Sequence, residues 1–167
     1  DFGSPSSLPV DPWLLGALIG NGNLTGNSVR FSTASEQTAG ELRRAVGDGL
    51  VVRQTSTYDY CLSQSAGKWR HGIQGVVSSP LTEALRSLGL MGLKSEEKFI
   101  PPEYMSASRS QRVALIQGLL DTDGWVEKHG TIRFCSSSPR LADDFATLIR
   151  SIGGICTVSM KLPNFTH

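Results

Sequence analysis

The sequence predicts an α+β fold of two pseudo-symmetric halves, the second of them incomplete. Three observations predict it. An apolar, glycine-bearing segment at 14–22 (LLGALIGNG) returns at 116–124 (IQGLLDTDG). An alternating segment at 28–35 (SVRFSTAS) returns at 131–138 (TIRFCSSS). Each alternating segment is followed by helical spacing, at 36–46 and 139–152. Asn21 thereby corresponds to Asp123 and Phe31 to Phe134, the second interval being one residue longer. Two copies of helix–strand–helix–strand make a pair of halves, since a solenoid needs at least about three repeats. The first copy runs over 14–90. The second runs only over 116–167, which leaves no room for its last strand and closing helix.

Taken in order, the chain begins with a Ser-, Gly- and Pro-rich leader over 1–9. Asp11 before Pro12 is a helix start, a side-chain acceptor for free backbone amides followed by a residue that needs no amide partner. Gly20, Asn21 and Gly22 form the matching stop. A strand is expected at 28–33, a Ser-capped helix at 35–46, and a strand pair at 51–54 and 59–63 joined through 55–57. Residues 68–75 are a basic, glycine-flanked loop, and 80–88 a short amphipathic helix stopped by Gly89. A polar connector fills 91–108 and an apolar helix 112–120. The halves are thus 10–90 and 109–167.

Composition bounds the rest. Among 167 residues, 39% are hydrophobic and 19% charged, which suits a packed soluble domain and argues against disorder. No apolar run approaches the roughly 20 residues of a membrane-spanning helix, and the polar start is no signal peptide, so a cytoplasmic protein without a membrane partner is expected. Cys61, Cys135 and Cys156 lack metal-site spacing and read as buried thiols of a reducing compartment. A net charge of +1 gives composition no vote for a nucleic-acid partner. Any such partner must be met by basic residues segregated onto one face.

The segments 14–22 and 116–124 are apolar nearly all round, so each must be buried on several sides. Each has glycine in its interior (Gly16, Gly118), where glycine costs about 1 kcal/mol; close approach of another backbone compensates. Packed on each other, the helices bring Asn21 beside Asp121 and Asp123 at their C-terminal ends. Carboxylates there oppose the helix dipole, and a divalent cation held by oxygen ligands would relieve them. That combination suits metal-assisted phosphodiester hydrolysis. The plain alternative is that Asn-Gly and Asp-Gly merely stop helices.

These residues resemble the two signature motifs of the LAGLIDADG homing endonucleases, in the single-chain form. Residues 116–124 are identical to the signature at Gly118, Leu119, Asp121, Asp123 and Gly124, and residues 14–22 at Leu14, Gly16 and Gly22. Lys98, Phe99, Ile100 and Pro101 resemble the Lys-x-Ile-Pro block of intein-borne members. The resemblance implies αββαββ-type halves whose antiparallel sheets form a saddle over the DNA major groove. It implies a monomer on a long pseudo-palindromic double-stranded site. It further implies Mg²⁺ at the last acidic position of each motif, with Ca²⁺ supporting binding without cleavage. Carried onto this chain, the metal positions are Asn21 and Asp123, with Gly20 and Thr122 beside them. Lys98 is the candidate for stabilising charge or activating water; its plain alternative is a solvated lysine of the charged stretch 94–97. Asn21 departs from the family's acidic residue. A neutral amide binds cations more weakly than a carboxylate, so a chain that binds DNA but cleaves poorly, or on one strand, is expected. A splicing unit would open on Cys or Ser and usually close on His-Asn; with Asp1 and His167 in those places, the endonuclease portion of an intein, or a free relative, is expected instead.

Strand alternation places Val29 and Phe31 inward, with Arg30 and Ser32 outward, and in the copy Arg133 and Cys135 outward. Arginines at matching places suit guanine edges or phosphates. Further DNA-binding candidates are Arg53, Tyr58, Lys68, Arg70, Lys128 and Lys161, each against the alternative of a solvated basic surface. Arg43, Arg44 and Arg150 lie on helix backs, and His71 and His129 lack partners at ligand spacing. Two rival functions remain open, a non-cleaving DNA-binding regulator and an RNA-splicing maturase. A dinucleotide fingerprint fails because Gly20 and Gly22 follow a helix rather than a strand.

Overall fold

Asp11 accepts from the Leu14 amide at 2.9 Å and, with Pro12 behind it, starts helix α1 (Pro12–Asn21) as its chemistry requires. A computed structural model describes residues 7–47, 49–64 and 79–161. Helix α1 is followed by β1 (Gly22–Asn23), β2 (Val29–Ser32), α2 (Glu36–Ala45), β3 (Leu50–Gln54), β4 (Asp59–Gln64) and α3 (Pro80–Ser87). A single 3₁₀ turn (Ser95–Glu97) and a short helix α4 (Pro102–Met105) lead into α5 (Arg109–Asp123), β5 (Gly124–Val126), β6 (Ile132–Phe134) and α6 (Pro139–Ser151). The order α1–β1–β2–α2 therefore returns as α5–β5–β6–α6. The result is a mixed α+β fold with antiparallel sheets.

The core is built on the pair α1 and α5, which pack on each other more extensively than any other two helices. Leu14, Leu15, Leu18 and Ile19 meet Leu115, Ile116 and Leu119, all buried. The two glycines serve this contact reciprocally. A methyl group on Gly16 would run into the carbonyl of Leu115, and one on Gly118 into the carbonyl of Trp13. A third tie crosses the pair at its edge, where the Trp13 indole N–H donates to Asp121 Oδ2 at 2.8 Å.

The first sheet has the order β1-β2-β4-β3, antiparallel throughout. Its inner face carries Val29, Phe31, Tyr60 and Leu62 into the core with Leu42, Leu81 and Leu85 of the covering helices. The second sheet is the β5–β6 pair, where Phe134 packs inward on Phe145 with ring centroids 4.2 Å apart. Residues 154–161 take neither helix nor strand. Among the described residues no helix is long and apolar enough to cross a membrane.

Three expectations are corrected. The stretch 91–108 is no polar connector, because Lys98, Ile100 and Tyr104 are buried in it. Helix α5 starts three residues before the expected 112, at a capping box in which Ser108 Oγ accepts from the Gln111 amide and Gln111 Oε1 accepts from the Ser108 amide. Arg112 is consequently inside the protein, its guanidinium held by the carbonyls of Ala107 and Ser151. The cysteines are free thiols, but Cys135 is exposed and Cys61 and Cys156 only half-buried. Cys61 and Cys135 follow the strand alternation that turns them outward, and this overrides the usual burial of cysteine.

Tyr104 ties the connector to the start of α1, donating to the Val10 carbonyl at 2.8 Å and accepting from its amide at 2.9 Å. Burial raises its phenol pKa to about 12. The folded protein keeps that proton above pH 10, where the unfolded chain loses it, so stability falls as pH rises from 10 to 12. Tyr104→Phe should cost about 1–2 kcal/mol at neutral pH and remove that alkaline decline, both read by urea denaturation. An unchanged alkaline slope would show that another group causes it.

Candidate functional site at the paired helix ends

The last turns of α1 and α5 lie side by side because Gly20 permits it. A methyl there would collide with the Thr122 hydroxyl and lie 3.2 Å from Asp123 Oδ2. Asn21, Gly20 and Asp123 thus come together in one groove of about 340 Å³, also lined by Lys98, Cys135 and Ser136. A second hollow of about 420 Å³ continues past Asn21 and Lys98 toward Asn23 and Thr25.

The two helix ends are electrostatically unlike. A helix C-terminus carries a partial negative charge on carbonyls without intrahelical partners. At the end of α1 this is met by Lys98, whose Nζ donates to the carbonyls of Ile19 at 2.8 Å and Gly22 at 2.7 Å, with longer contacts to Gly20 at 3.3 Å and Leu18 at 3.4 Å. Lys98 is only 3% exposed, so the solvated-lysine alternative is rejected. Burial lowers its pKa to about 8, against a smaller opposing pull from Asp123. At the end of α5 no basic residue stands in the last turn, and Asp123 adds a carboxylate to the carbonyls already there. That carboxylate is half-buried and accepts no hydrogen bond among the described residues. Burial raises its pKa, with Lys98 acting the other way.

This donor set fits a hard divalent cation. Asp123 offers a half-buried carboxylate and Asn21 an amide oxygen without a hydrogen-bond partner among the described residues. Oxygen donors are the type that Mg²⁺ and Ca²⁺ take, and among the described residues no group of three or more His, Cys, Asp or Glu side chains is placed to hold a metal. The two flanking candidates, Gly20 and Thr122, have other contacts as well. The Gly20 carbonyl already accepts from Lys98, and the Thr122 hydroxyl donates to Leu119 and Gly118 carbonyls of its own helix at 2.9 and 3.1 Å. Asp121, expected beside Asn21, is exposed, engaged by Trp13 and not among the residues that line the groove.

Lys98 is set from both sides. Its own carbonyl accepts from Ser138 Oγ, the N-cap of α6, at 2.7 Å, and the next amide but one, Ile100, donates to Asp144 Oδ2 at 3.0 Å. The connector is therefore fastened to α6 while its ammonium closes α1. Sequence reasoning missed Ser138, Asp144 and Trp13. Only Ser138 had a signal, a hydroxyl before the helix-starting Pro139, whereas the partners of Asp144 and Trp13 lie 44 and 108 positions away. Ser138→Ala should lower stability by about 1–2 kcal/mol, measured by thermal melting, because one hydroxyl serves both a helix cap and the Lys98 backbone. A melting temperature equal to that of the parent chain would show that the connector is held otherwise.

Of the expected DNA-facing residues, the sheet brings two arginines into one row. The pairings Asn23↔Arg30, Arg30↔Cys61 and Arg53↔Cys61 set Arg30 and Arg53 on the outer face with Cys61 between them. Both arginines are exposed. Ser32 shares that face, but its hydroxyl donates to Asp59 Oδ1 at 2.6 Å. Tyr58 is 57% exposed in the turn between β3 and β4. In the second sheet Arg133 stands opposite Trp125 and is paired with Glu127 at 3.0 Å. Lys128 is exposed in the β5–β6 turn, and Lys161 is exposed in the irregular stretch rather than on a sheet. Lys68 and Arg70 lie outside the described residues, as does His71.

Comparison with known proteins bears on this arrangement. Residues 110–159 match the model of the LAGLIDADG-like domain. That LAGLIDADG-like stretch contains α5, β5, β6, α6 and Asp123. The chain is also similar to three proteins named replicative DNA helicase DnaB. With that of Mycobacterium intracellulare it shares 44% identity over 81 residues, 48% of this chain and 13% of the helicase. With that of Nostoc sp. it shares 29% over 161 residues, 88% of this chain and 18% of the helicase. With that of Synechocystis sp. it shares 26% over 151 residues, 84% of this chain and 17% of the helicase. The chain thus spans less than a fifth of each relative it matches.

Proposed function

We propose that the chain is a site-specific double-stranded-DNA-binding protein of the single-chain LAGLIDADG homing-endonuclease type. In this reading the halves are 10–90 and 109–167, and cleavage is weakened on one side by Asn21. The observation that carries this is the unlike pair of helix ends, Lys98 donating to the α1 carbonyls and Asp123 standing half-buried at α5 with no hydrogen-bond donor among the described residues. A divalent cation between the helix ends would answer that charge, with Asp123 as its strong ligand and Asn21, a neutral amide in the same groove as the Lys98 ammonium, as its weak one. Mg²⁺, when bound at Asp123, would polarise a phosphodiester and lower the pKa of an attacking water. Asp123 and Asn21 would hold it, and Lys98 keeps the α1 carbonyls fixed. Arg30 and Arg53 would meet the major groove from the first sheet, and Arg133 from the second. The coverage of most of this chain by a small part of a much longer helicase supports an element carried within a host polypeptide, hence an intein-associated, intracellular origin.

Asn21 also favours a second reading, a non-cleaving regulator or RNA-splicing maturase of the same fold. Selection of bound duplexes from a random pool in Ca²⁺ separates these. Enrichment of one long, loosely two-fold duplex is expected. No enrichment, at a salt where nonspecific binding is weak, together with retention of structured RNA, would replace the DNA reading with the maturase one.

A further inference from the structure

Resting on the DNA-binding reading, we infer that Asp59 is a specificity-determining residue that accepts a hydrogen bond from an exocyclic amino group, N4 of cytosine or N6 of adenine, in the major groove. Asp59 opens β4 opposite Ser32, on the exposed face that carries Arg30 and Arg53. The register makes it the diagonal neighbour of Arg30, which pairs with Cys61 one step along the same face. A carboxylate in that row is repelled by phosphates, so a face built only to hold the DNA backbone would not place one there.

Its environment fixes the carboxylate in place. Ser32 Oγ on β2 donates to Oδ1 and Ser56 Oγ in the β3–β4 turn to Oδ2, each at 2.6 Å, so both oxygens are anchored. These bonds hold the Asp59 pKa below its usual value, with Arg30 adding to the effect, and the group is an ionised acceptor at neutral pH. Each carboxylate oxygen has further lone pairs, and the side chain is exposed. Acceptors of this kind suit amino-bearing bases and reject the carbonyl oxygens of guanine and thymine. The geometry also reassigns Ser32, whose proton goes to Asp59 rather than to a base. Ser32 is therefore a positioning residue, and Arg30 beside it reads guanine or phosphate.

The test is duplex selection by the intact chain and by Asp59→Ala, which removes both acceptor oxygens. The parent chain should require C or A at one position of the half-site under the first sheet, and Asp59→Ala should lose that requirement there while keeping all others. With the selected duplex, a base analogue lacking the amino group should weaken binding by the parent chain at least about fivefold and leave the variant unaffected. An unchanged base requirement in Asp59→Ala would overturn the inference. So would loss of preference at every position, which is the signature of a purely structural turn residue. Failure of the parent chain to enrich any duplex would instead overturn the DNA-binding reading on which the inference rests.

Discussion

Gly118→Ala is expected to destabilise the protein by about 3 kcal/mol, in spite of alanine's advantage of about 1 kcal/mol over glycine in a helix interior. The added methyl would collide with the Trp13 carbonyl oxygen and lie 2.8 Å from the Ala17 amide nitrogen and 3.0 Å from the Trp13 carbonyl carbon. All three are backbone atoms of α1. None can rotate away as the end of a flexible side chain would, so the helices must separate along their length. That loosens Leu14, Leu18, Leu115 and Leu119 together, the centre of the core. Gly40→Ala supplies the control. Gly40 lies inside α2 with nothing within 4 Å of an added methyl, and alanine there should stabilise by about 0.5–1 kcal/mol. Urea denaturation of the two variants reads opposite signs. Equal stability of Gly118→Ala and the parent chain would mean that α1 and α5 do not meet through their glycines.

Asp123→Asn should separate stability, binding and chemistry. A half-buried carboxylate without a hydrogen-bond donor, at a helix C-terminus, costs stability when no cation is present. The amide should therefore raise the melting temperature in chelator by an amount corresponding to roughly 0.5–1 kcal/mol. Affinity for the selected duplex should persist, because Asp123 lies in the groove between helix ends and not on the strand faces. Any Mg²⁺-dependent cleavage should fall by more than the roughly 10–100-fold typical of residues that merely support a metal ligand. A melting temperature that falls in chelator would show that Asp123 is a structural acceptor, contrary to its lack of donors among the described residues.

The helices are legible in the sequence because their ends carry local chemistry. Asp11 with Pro12 and Ser35 before Glu36 mark starts that the structure keeps within a residue. The outward placement of Arg30 and Ser32 is legible too, since alternation needs only one strand. The partner of each outward residue is not. Ser32 points as expected, yet its hydroxyl is engaged by Asp59, 27 positions away, and that pairing depends on the β2–β4 register. Lys98 shows the same limit in the core. Its surroundings in sequence, Ser95, Glu96 and Glu97, read as a charged solvent face, and only the fold brings the α1 carbonyls to its ammonium. The connector misleads for the same reason, since polarity along the chain hides the burial of Ile100 and Tyr104.

On the proposed reading, the paired helix ends form a cation site with one strong ligand and one weakened one. Strand-resolved cleavage of the selected duplex in Mg²⁺, by the parent chain and by Asn21→Asp, tests this most directly. The parent chain should cut one strand, slowly, and Asn21→Asp should cut both, with no change in affinity measured in Ca²⁺. Asn21→Asp that binds the duplex and leaves cleavage of both strands as it was would contradict that reading.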